Sequence, residues 1–146
     1  MHSDLFGHLA PATATRFRDR LNIDLVAWLT LVTERGTPQP APVWFLWNDA
    51  DQRVITYSQA TAKRLDRIAL GGRASLHLND DGNGHDYLVM TGIIERLGSG
   101  FPPADAHAAF AAKYQTSMNT VFGSAARYAT TFSVPLAFTP HTVRGN

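Results

Sequence analysis

Short apolar runs alternate with polar breaks along most of this chain, a pattern typical of β-strands joined by turns. The pattern predicts six extended segments, which cover residues 24–33, 37–47, 53–58, 73–78, 87–97 and 131–143. Between the second and third segments, Asn48-Asp49-Ala50-Asp51 has the composition of a turn. Gly92 lies inside the fifth segment, where it predicts a bulge or the close approach of another backbone.

Apolar residues recur at helical spacing in four shorter stretches. The first covers residues 13–22, and the second covers residues 61–70, directly before a Gly-Gly pair that ends it. Pro102-Pro103 is expected to open a third helix and Ser117 to cap a fourth. Because strands and helices do not alternate regularly, we predict a mainly β (α+β) fold, an antiparallel barrel of about six strands with short helices. The 146 residues fit a single domain, 1–146.

Composition narrows the classes of function. The net charge of +1 predicts no nucleic-acid partner, and the absence of cysteine excludes disulfides and thiol nucleophiles. No two of the six histidines have the spacing of a metal site, so no metal is expected. No GxSxG sequence supports hydrolase chemistry. Since neither a signal peptide nor an apolar run of about 20 residues is found, we expect a soluble, cytoplasmic protein without a membrane partner.

A possible anion site follows the third extended segment. Ser58 and Thr61 supply hydroxyls there, and Lys63 and Arg64 fall in the predicted first turn of the second helix. A helix N-terminus attracts anions, whereas cations at that position oppose the helix dipole. A bound phosphate would therefore stabilise this arrangement, with Lys63 as its anchor and Arg67 one turn too far along. The alternative interpretation is a solvated, positively charged helix face.

Three prolines at alternate positions mark the second extended segment. Pro38, Pro40 and Pro42 remove N–H donors from one lateral edge of the strand, and the strongly apolar sequence Val43-Trp44-Phe45 follows. Such an edge is suited to line a site for a flat ring system. Taken alone, the segment is more typical of an edge strand that proline protects from aggregation.

Taken together, three segments resemble the pyridoxamine phosphate oxidase-like split β-barrel superfamily: Ala41-Pro42-Val43-Trp44-Phe45, residues 54–63 and Arg73-Ala74-Ser75-Leu76. The resemblance extends from about residue 21 to residue 143, and its most specific part is Tyr57-Ser58-x-x-Thr61-x-Lys63. Pro-Val-Trp-Phe at 42–45, Lys113-Tyr114 and residues 134–140 are most similar to the actinobacterial branch that uses coenzyme F420, an 8-hydroxy-5-deazaflavin.

The resemblance implies a homodimer with two cofactors at the subunit interface. It implies a ring site near Pro42, Val43, Trp44, Tyr57 and Ser58, and a phosphate site at Ser58, Thr61, Lys63 and Arg64. Lys113 and Tyr114 are expected to bind the cofactor as well. Apolar residues on both faces of the strand around Trp44 and Trp47 also favour a dimer, because one small barrel cannot hide them all.

One departure from the family pattern affects the choice of cofactor. The vitamin B6 oxidases carry an Arg and a Lys on the second strand that help to hold FMN phosphate, and the matching positions here are Pro42 and Trp47. The sequence therefore favours F420 over FMN and makes pyridoxamine phosphate an unsuitable substrate. The expected activity is hydride transfer from reduced deazaflavin to an electron-poor small organic acceptor.

Two alternatives to that activity remain open. They are an FMN-dependent reductase of the same fold and a carrier that binds deazaflavin without turning it over. The chemistry would come from the cofactor. The sequence does not choose among Tyr57, Tyr114 and water as the proton donor, and the physiological acceptor is not identified.

Overall fold

A computed structural model describes residues 3–146, so His2 lies outside the described residues. Four α-helices and one π-helix are present in this part of the chain: α1 (Pro11–Ile23), α2 (Arg64–Ala69), α3 (Ala108–Ser117), the π-helix (Met118–Phe122) and α4 (Ala125–Thr131). The same residues form seven strands: β1 (Ala27–Val32), β2 (Pro38–Val43), β3 (Leu46–Asn48), β4 (Arg53–Ser58), β5 (Arg73–His77), β6 (Leu88–Arg96) and β7 (Val134–Gly145).

The seven strands form one antiparallel sheet in the order β2-β1-β5-β6-β7-β4-β3. β2 and β3 lie at opposite edges of this sheet, yet only Trp44 and Phe45 separate them in sequence. A two-residue link cannot span a flat sheet of seven strands, because neighbouring strands are about 4.8 Å apart. The sheet therefore curls until its edges meet, which confirms the predicted split barrel with short helices.

The prediction of a single strand over residues 37–47 is wrong. Long-range hydrogen bonds interrupt it at the link: the N–H group of Phe45 donates to the Tyr114 hydroxyl at 2.7 Å, and the Thr56 hydroxyl donates to the carbonyl of Trp44 at 2.6 Å. The single N–H group of Phe45, once it donates to a side chain, cannot also donate to a strand ladder. The barrel consequently has seven strands instead of about six, and it is split at Trp44 and Phe45.

Two apolar clusters lie on opposite sides of the sheet. The first fills the barrel and includes Phe17, Phe45 and Trp47. The second lies between the outer face of β4 and β7 and the segment that runs from α3 through the π-helix to α4. Residues of the link contact both clusters: Phe45 belongs to the first, whereas Trp44 packs against the second.

The predicted helix boundaries need two corrections. Pro102-Pro103 does not open α3, which begins at Ala108 with the ring of His107 accepting a hydrogen bond from the N–H of Phe110. Ser117 does not cap a helix, because its backbone is itself helical and the chain continues into the π-helix. The cap of α4 is Ser124, whose hydroxyl accepts a hydrogen bond from the N–H of Arg127 at 3.2 Å.

The prediction for Gly92 is confirmed. The β6–β7 ladder shifts register between Thr91 and Gly92, and a Cβ atom at position 92 would overlap the carbonyl oxygen of Thr139. Only glycine allows the two strands to approach so closely here. Among the described residues, no helix is both long enough and apolar enough to cross a membrane.

Candidate functional site

A cleft of about 200 Å³ opens where the barrel is split, and we call it the aromatic cleft. The strands and the link contribute Pro42, Val43, Trp44 and Tyr57 to its lining. The helices contribute Arg64, Val121, Phe122, Tyr128 and Phe132. Five residues predicted to bind the cofactor, at positions 42, 43, 44, 57 and 64, therefore meet at one cleft, although they come from distant parts of the sequence.

Trp44 is held in the aromatic cleft by its neighbours. Its indole stacks on the ring of Tyr114, with centroids 4.8 Å apart and planes 3° apart, and on the ring of Tyr128 at 4.7 Å. Phe122 meets it edge-on at 5.7 Å. Stacked and edge-on contacts of this kind stabilise one orientation of a ring. These contacts fix the indole of Trp44 as one wall of the cleft.

Lys113 and Tyr114 lie behind this wall and do not line the cleft. The Tyr114 hydroxyl accepts a hydrogen bond from the N–H of Phe45. Its own proton can be donated to the carbonyl oxygen of Leu25 at 2.8 Å or to that of Phe45 at 2.9 Å. The ammonium group of Lys113 donates to the carbonyl of Phe45 at 2.9 Å and lies 3.8 Å from the centre of the Phe45 ring. Both side chains fix the link, and through it Trp44.

Burial perturbs the ionisation of both residues. It lowers the pKa of Lys113 to about 8, an effect that the nearby Asp24 partly opposes, and it raises the pKa of Tyr114. The Tyr114 hydroxyl therefore stays protonated and hydrogen-bonded to the backbone. It has no free position from which to donate a proton to a ligand.

Tyr57 lines the cleft through its ring alone. The hydroxyl of Tyr57 donates to the carbonyl of Pro102 at 2.8 Å, and the ring meets Phe110 edge-on. Burial, with a smaller contribution from the charge of Asp105, raises the pKa of Tyr57 to about 12. A hydroxyl that already donates to the backbone, and that ionises with such difficulty, is a poor proton donor.

A second cleft, which we call the basic cleft, adjoins the first and has a volume of about 220 Å³. Lys63, Arg64 and Arg67 line it from around α2, opposite residues of β1 and β2. Arg64 lines both clefts, so it lies where they meet. Burial, and then the neighbouring Arg67, lowers the pKa of Arg64. Within residues 3–146, no ion pair involves any of these three cations.

The structure changes the physical basis of the predicted anion site. α2 begins at Arg64, so Lys63 precedes the helix, and the N–H groups of Leu65 and Asp66 already donate to the carbonyls of Ala62 and Lys63. The free N–H groups predicted there are therefore partly occupied. Arg67, which was predicted to lie one turn too far along, lines the basic cleft together with Lys63, and the preference for Lys63 as the anchor stays a prediction. An anion in the basic cleft would therefore contact mainly side-chain cations, and to a lesser extent the N–H groups at the start of α2.

The two predicted hydroxyls lie apart from the lining of both clefts. Ser58 is fully buried, and its hydroxyl donates only to the carbonyl of the next residue, Gln59, at 3.1 Å. Thr61 is exposed in the turn before α2. A role for these hydroxyls in phosphate binding stays a prediction.

Sequence reasoning missed the helical side of the aromatic cleft. Val121, Phe122, Tyr128 and Phe132 come from the π-helix, α4 and the residue after it, some 70 residues beyond Tyr57. The available signal was the i, i+4 pair Tyr128 and Phe132, which indicated an aromatic helix face. Nothing in the sequence indicated that this face covers Trp44.

No protein-family model matches the sequence, and no curated protein matches it either. Solved structures do match. A Clostridium acetobutylicum protein of the pyridoxinephosphate oxidase family, related to general stress protein 26, is 14% identical with a TM-score of 0.67, over 92% of this chain and 88% of that one. An F420 reductase is 18% identical with a TM-score of 0.60, over 87% and 94%. A FAD-binding protein from Mesorhizobium loti is 17% identical with a TM-score of 0.61, over 89% of each.

These similarities establish the fold. The chain has the split-barrel fold of pyridoxamine 5′-phosphate oxidase-like proteins, as the resemblance of its sequence motifs implied. Structures with this fold include proteins that bind flavin or act on F420. Identities of 12–18% do not carry a particular cofactor or substrate over to this chain.

Proposed function

We propose that this protein is a homodimeric oxidoreductase that binds coenzyme F420 and passes a hydride from the reduced cofactor to an electron-poor small organic acceptor. The observation that carries the proposal is the meeting of the aromatic and basic clefts at Arg64. A planar ring with a phosphate-bearing side chain has the same two-part chemistry. The matching fold of the F420 reductase supports the same class of ligand.

The two clefts together are of the right size for such a ligand. Each alone, at about 200 and 220 Å³, falls below the ~300–1,000 Å³ that is usual for a cofactor-sized site, whereas the two combined reach that range. Lys63, Arg64 and Arg67 belong to no ion pair among residues 3–146 and can neutralise a phosphate; charge-assisted hydrogen bonds of this kind are worth about 1.5–3 kcal/mol each.

Two positions favour F420 over FMN. Trp47 is 4% exposed and meets Phe6 edge-on inside the barrel, so this position cannot present a cation to a phosphate. Pro42 lines the aromatic cleft without any donor group. The second-strand cations of the vitamin B6 oxidases therefore have no counterpart here. The FMN-dependent reductase remains the alternative.

In the proposed reaction, bound F420 supplies the hydride chemistry. Trp44 and Tyr128 would orient the ring, Arg64 would hold the phosphate near the junction of the clefts, and the apolar lining would exclude water. The hydroxyls of Tyr57 and Tyr114 are committed to backbone partners. Water is therefore our proposed proton source for the reduced product.

A second copy of the chain would complete the site. The aromatic cleft is open at the side of Val121, which is 66% exposed, so a bound ring needs further cover there. The apolar residues on the outer face of the link pack against the C-terminal helices, so they are not left bare and do not favour a dimer as the sequence predicted. The proposed dimer is supported instead by the open side of the aromatic cleft and by the exposed apolar residue at its rim.

Titration of three ligands into the purified protein tests the proposal: F420, FMN and 8-hydroxy-5-deazariboflavin, which has the deazaflavin ring but no phosphate. We expect F420 to bind most tightly and loss of the phosphate to weaken binding at least tenfold. Light scattering should give the mass of a dimer. Tighter binding of FMN would overturn the F420 assignment in favour of the FMN reductase.

A second assay separates an enzyme from a carrier. Reduced F420 is mixed with the protein and a panel of electron-poor acceptors, such as quinones, nitroaromatics and conjugated enones, and its oxidation is followed by absorbance. An enzyme accelerates oxidation with at least one acceptor, and the rate scales with protein concentration. Tight binding without acceleration by any acceptor would favour the carrier.

A further inference from the structure

The hydroxyl of Tyr128 is a polar group at the aromatic cleft that the protein itself leaves without a partner. Tyr128 is 2% exposed and lines the cleft. Within residues 3–146 its hydroxyl makes no hydrogen bond, whereas the hydroxyls of Tyr57 and Tyr114 donate to backbone carbonyls. Withdrawing a hydroxyl from bulk water is unfavourable unless another partner replaces the water. A molecule bound in the cleft can supply that partner.

The Tyr128 hydroxyl is in contact with the open space of the cleft. Among the buried side-chain nitrogen and oxygen atoms of residues 3–146, one lacks a hydrogen-bond partner, and it is Nε of Arg53. The oxygen of Tyr128 lacks a partner too but does not belong to those buried atoms, so it is not sealed inside the protein. Since Tyr128 lines the aromatic cleft, a ligand there can reach its hydroxyl.

Neighbouring rings fix the position of this hydroxyl. The ring of Tyr128 stacks on Trp44 with centroids 4.7 Å apart and on Phe132 at 4.8 Å, and Phe122 meets it edge-on at 5.1 Å. The phenol oxygen lies on the axis of its ring, so holding the ring also holds the oxygen, and only the proton can rotate. A donor fixed in this way needs little reorganisation when negative charge develops beside it.

Tyr128 is suited to donate a hydrogen bond and not to act as a base. Burial, and to a smaller extent the nearby Tyr114 and Tyr57, raises the pKa of Tyr128, so its hydroxyl stays protonated. Two other side chains of the lining, Trp44 and Arg64, also carry N–H donors. In the proposed function Arg64 holds the phosphate and Trp44 orients the ring, so the Tyr128 hydroxyl is the donor left for the acceptor.

We infer that Tyr128 is a catalytic residue whose hydroxyl donates a hydrogen bond to the acceptor oxygen on which negative charge develops. The inference rests on the proposed hydride transfer. In that step the C–H bond of the reduced cofactor breaks, a C–H bond forms at a conjugated carbon of the acceptor, and an electron pair moves onto a carbonyl or nitro oxygen. Tyr128 stabilises this charge. Water then protonates the acceptor, and the oxidised cofactor releases one proton to the solvent.

Steady-state kinetics of Tyr128→Phe test the inference, with reduced F420 and the acceptor that the wild-type protein reduces fastest. The substitution keeps the stacked ring and removes one donor. Because the bond strengthens as charge develops, we expect kcat to fall roughly 100-fold while KM stays within about twofold. The kinetic isotope effect of deuterium at the transferred position should rise, since hydride transfer becomes the slow step.

Two measurements separate this role from a structural one. Because the hydroxyl has no partner within residues 3–146, Tyr128→Phe should change Tm by less than about 2 °C. Its dissociation constant for oxidised F420 should stay within about twofold of that of the wild-type protein. Tyr87→Phe is the matched control, because Tyr87 lies outside the lining of the aromatic cleft, and it should alter none of these quantities.

The possible outcomes distinguish this inference from the proposed function. A kcat of Tyr128→Phe within about twofold of the wild-type value would overturn the inference and leave the proposed function intact. So would a fall in kcat that is accompanied by an equal loss of F420 affinity or by a large fall in Tm. If the wild-type protein reduces none of the acceptors, both proposals are wrong.

Discussion

The contact between Tyr114 and the split of the barrel gives the sharpest test of the structure. Tyr114→Phe removes one hydroxyl and leaves the ring that stacks on Trp44. The hydroxyl is fully buried and is the acceptor for the N–H group of Phe45 at 2.7 Å. Without it, a buried backbone donor loses its partner in a place from which water is excluded.

The expected cost follows from that loss. A buried donor left without a partner costs about 1–3 kcal/mol, and the ring, which carries most of the apolar area, is unchanged. We therefore expect Tyr114→Phe to lower the free energy of unfolding by about 2 kcal/mol. For a chain of this length, that corresponds to a fall in Tm of about 4–8 °C.

Denaturant unfolding, followed by tryptophan fluorescence, measures the change directly. The midpoint should fall while the m-value stays constant, since the surface exposed on unfolding is the same. Tyr87→Phe is the matched control, because its hydroxyl makes no hydrogen bond within residues 3–146 and its loss should cost less than about 0.5 kcal/mol. If the two variants were equally stable, the Tyr114 hydroxyl would not hold the link, and our account of the split would be wrong.

Three further predictions concern the interior, the sheet and the site. Burial lowers the pKa of Lys113 to about 8, so above that pH the unfolded chain binds more protons than the folded one. The free energy of unfolding should therefore rise from pH 8 to pH 10 in the wild-type protein relative to Lys113→Met. Equal pH profiles of the two proteins in chemical denaturation would contradict this. Gly92→Ala places a Cβ against the carbonyl of Thr139 and should lower the free energy of unfolding by about 1–3 kcal/mol, measured by thermal melts. The Cβ of Gly98→Ala meets open space, so this control variant should lose less than half as much. Arg64→Gln should weaken F420 binding about tenfold but leave 8-hydroxy-5-deazariboflavin, which lacks the phosphate, within twofold; equal losses in the two titrations would place Arg64 against the ring instead.

The sequence predicts elements that local rules determine and misses those that distant contacts determine. β4 was predicted with its observed bounds, because a run of β-branched and apolar residues ends at turns on both sides. The bulge at Gly92 was also predictable, since few other causes place glycine inside a strand. The break at Phe45 was not, because it depends on a hydroxyl 69 residues away in the sequence.

The residues of the candidate site also separate into those that a sequence motif indicates and those that only distant contacts bring to the site. Trp44, Tyr57 and Arg64 were found because their motif resembles that of a known superfamily, and the structure brings them together. The place of Arg67 in the lining of the basic cleft was missed because its position was judged from an ideal helix, whereas α2 is only six residues long and begins late. No local pattern shows that Phe122 covers a tryptophan nearly 80 residues earlier.

The place of β7 in the sheet has a consequence for how the protein is made. β7 is the last of the seven strands in chain order, yet it pairs with β6 on one side and with β4 on the other. Until it emerges from the ribosome, β2, β1, β5 and β6 can form one small sheet and β4 with β3 can form a separate hairpin, with no ladder between them. The barrel can therefore close only after β7 has emerged, and until then the nascent chain presents the edges of β6 and β4, which pair with β7 in the folded protein, to the chaperones around it.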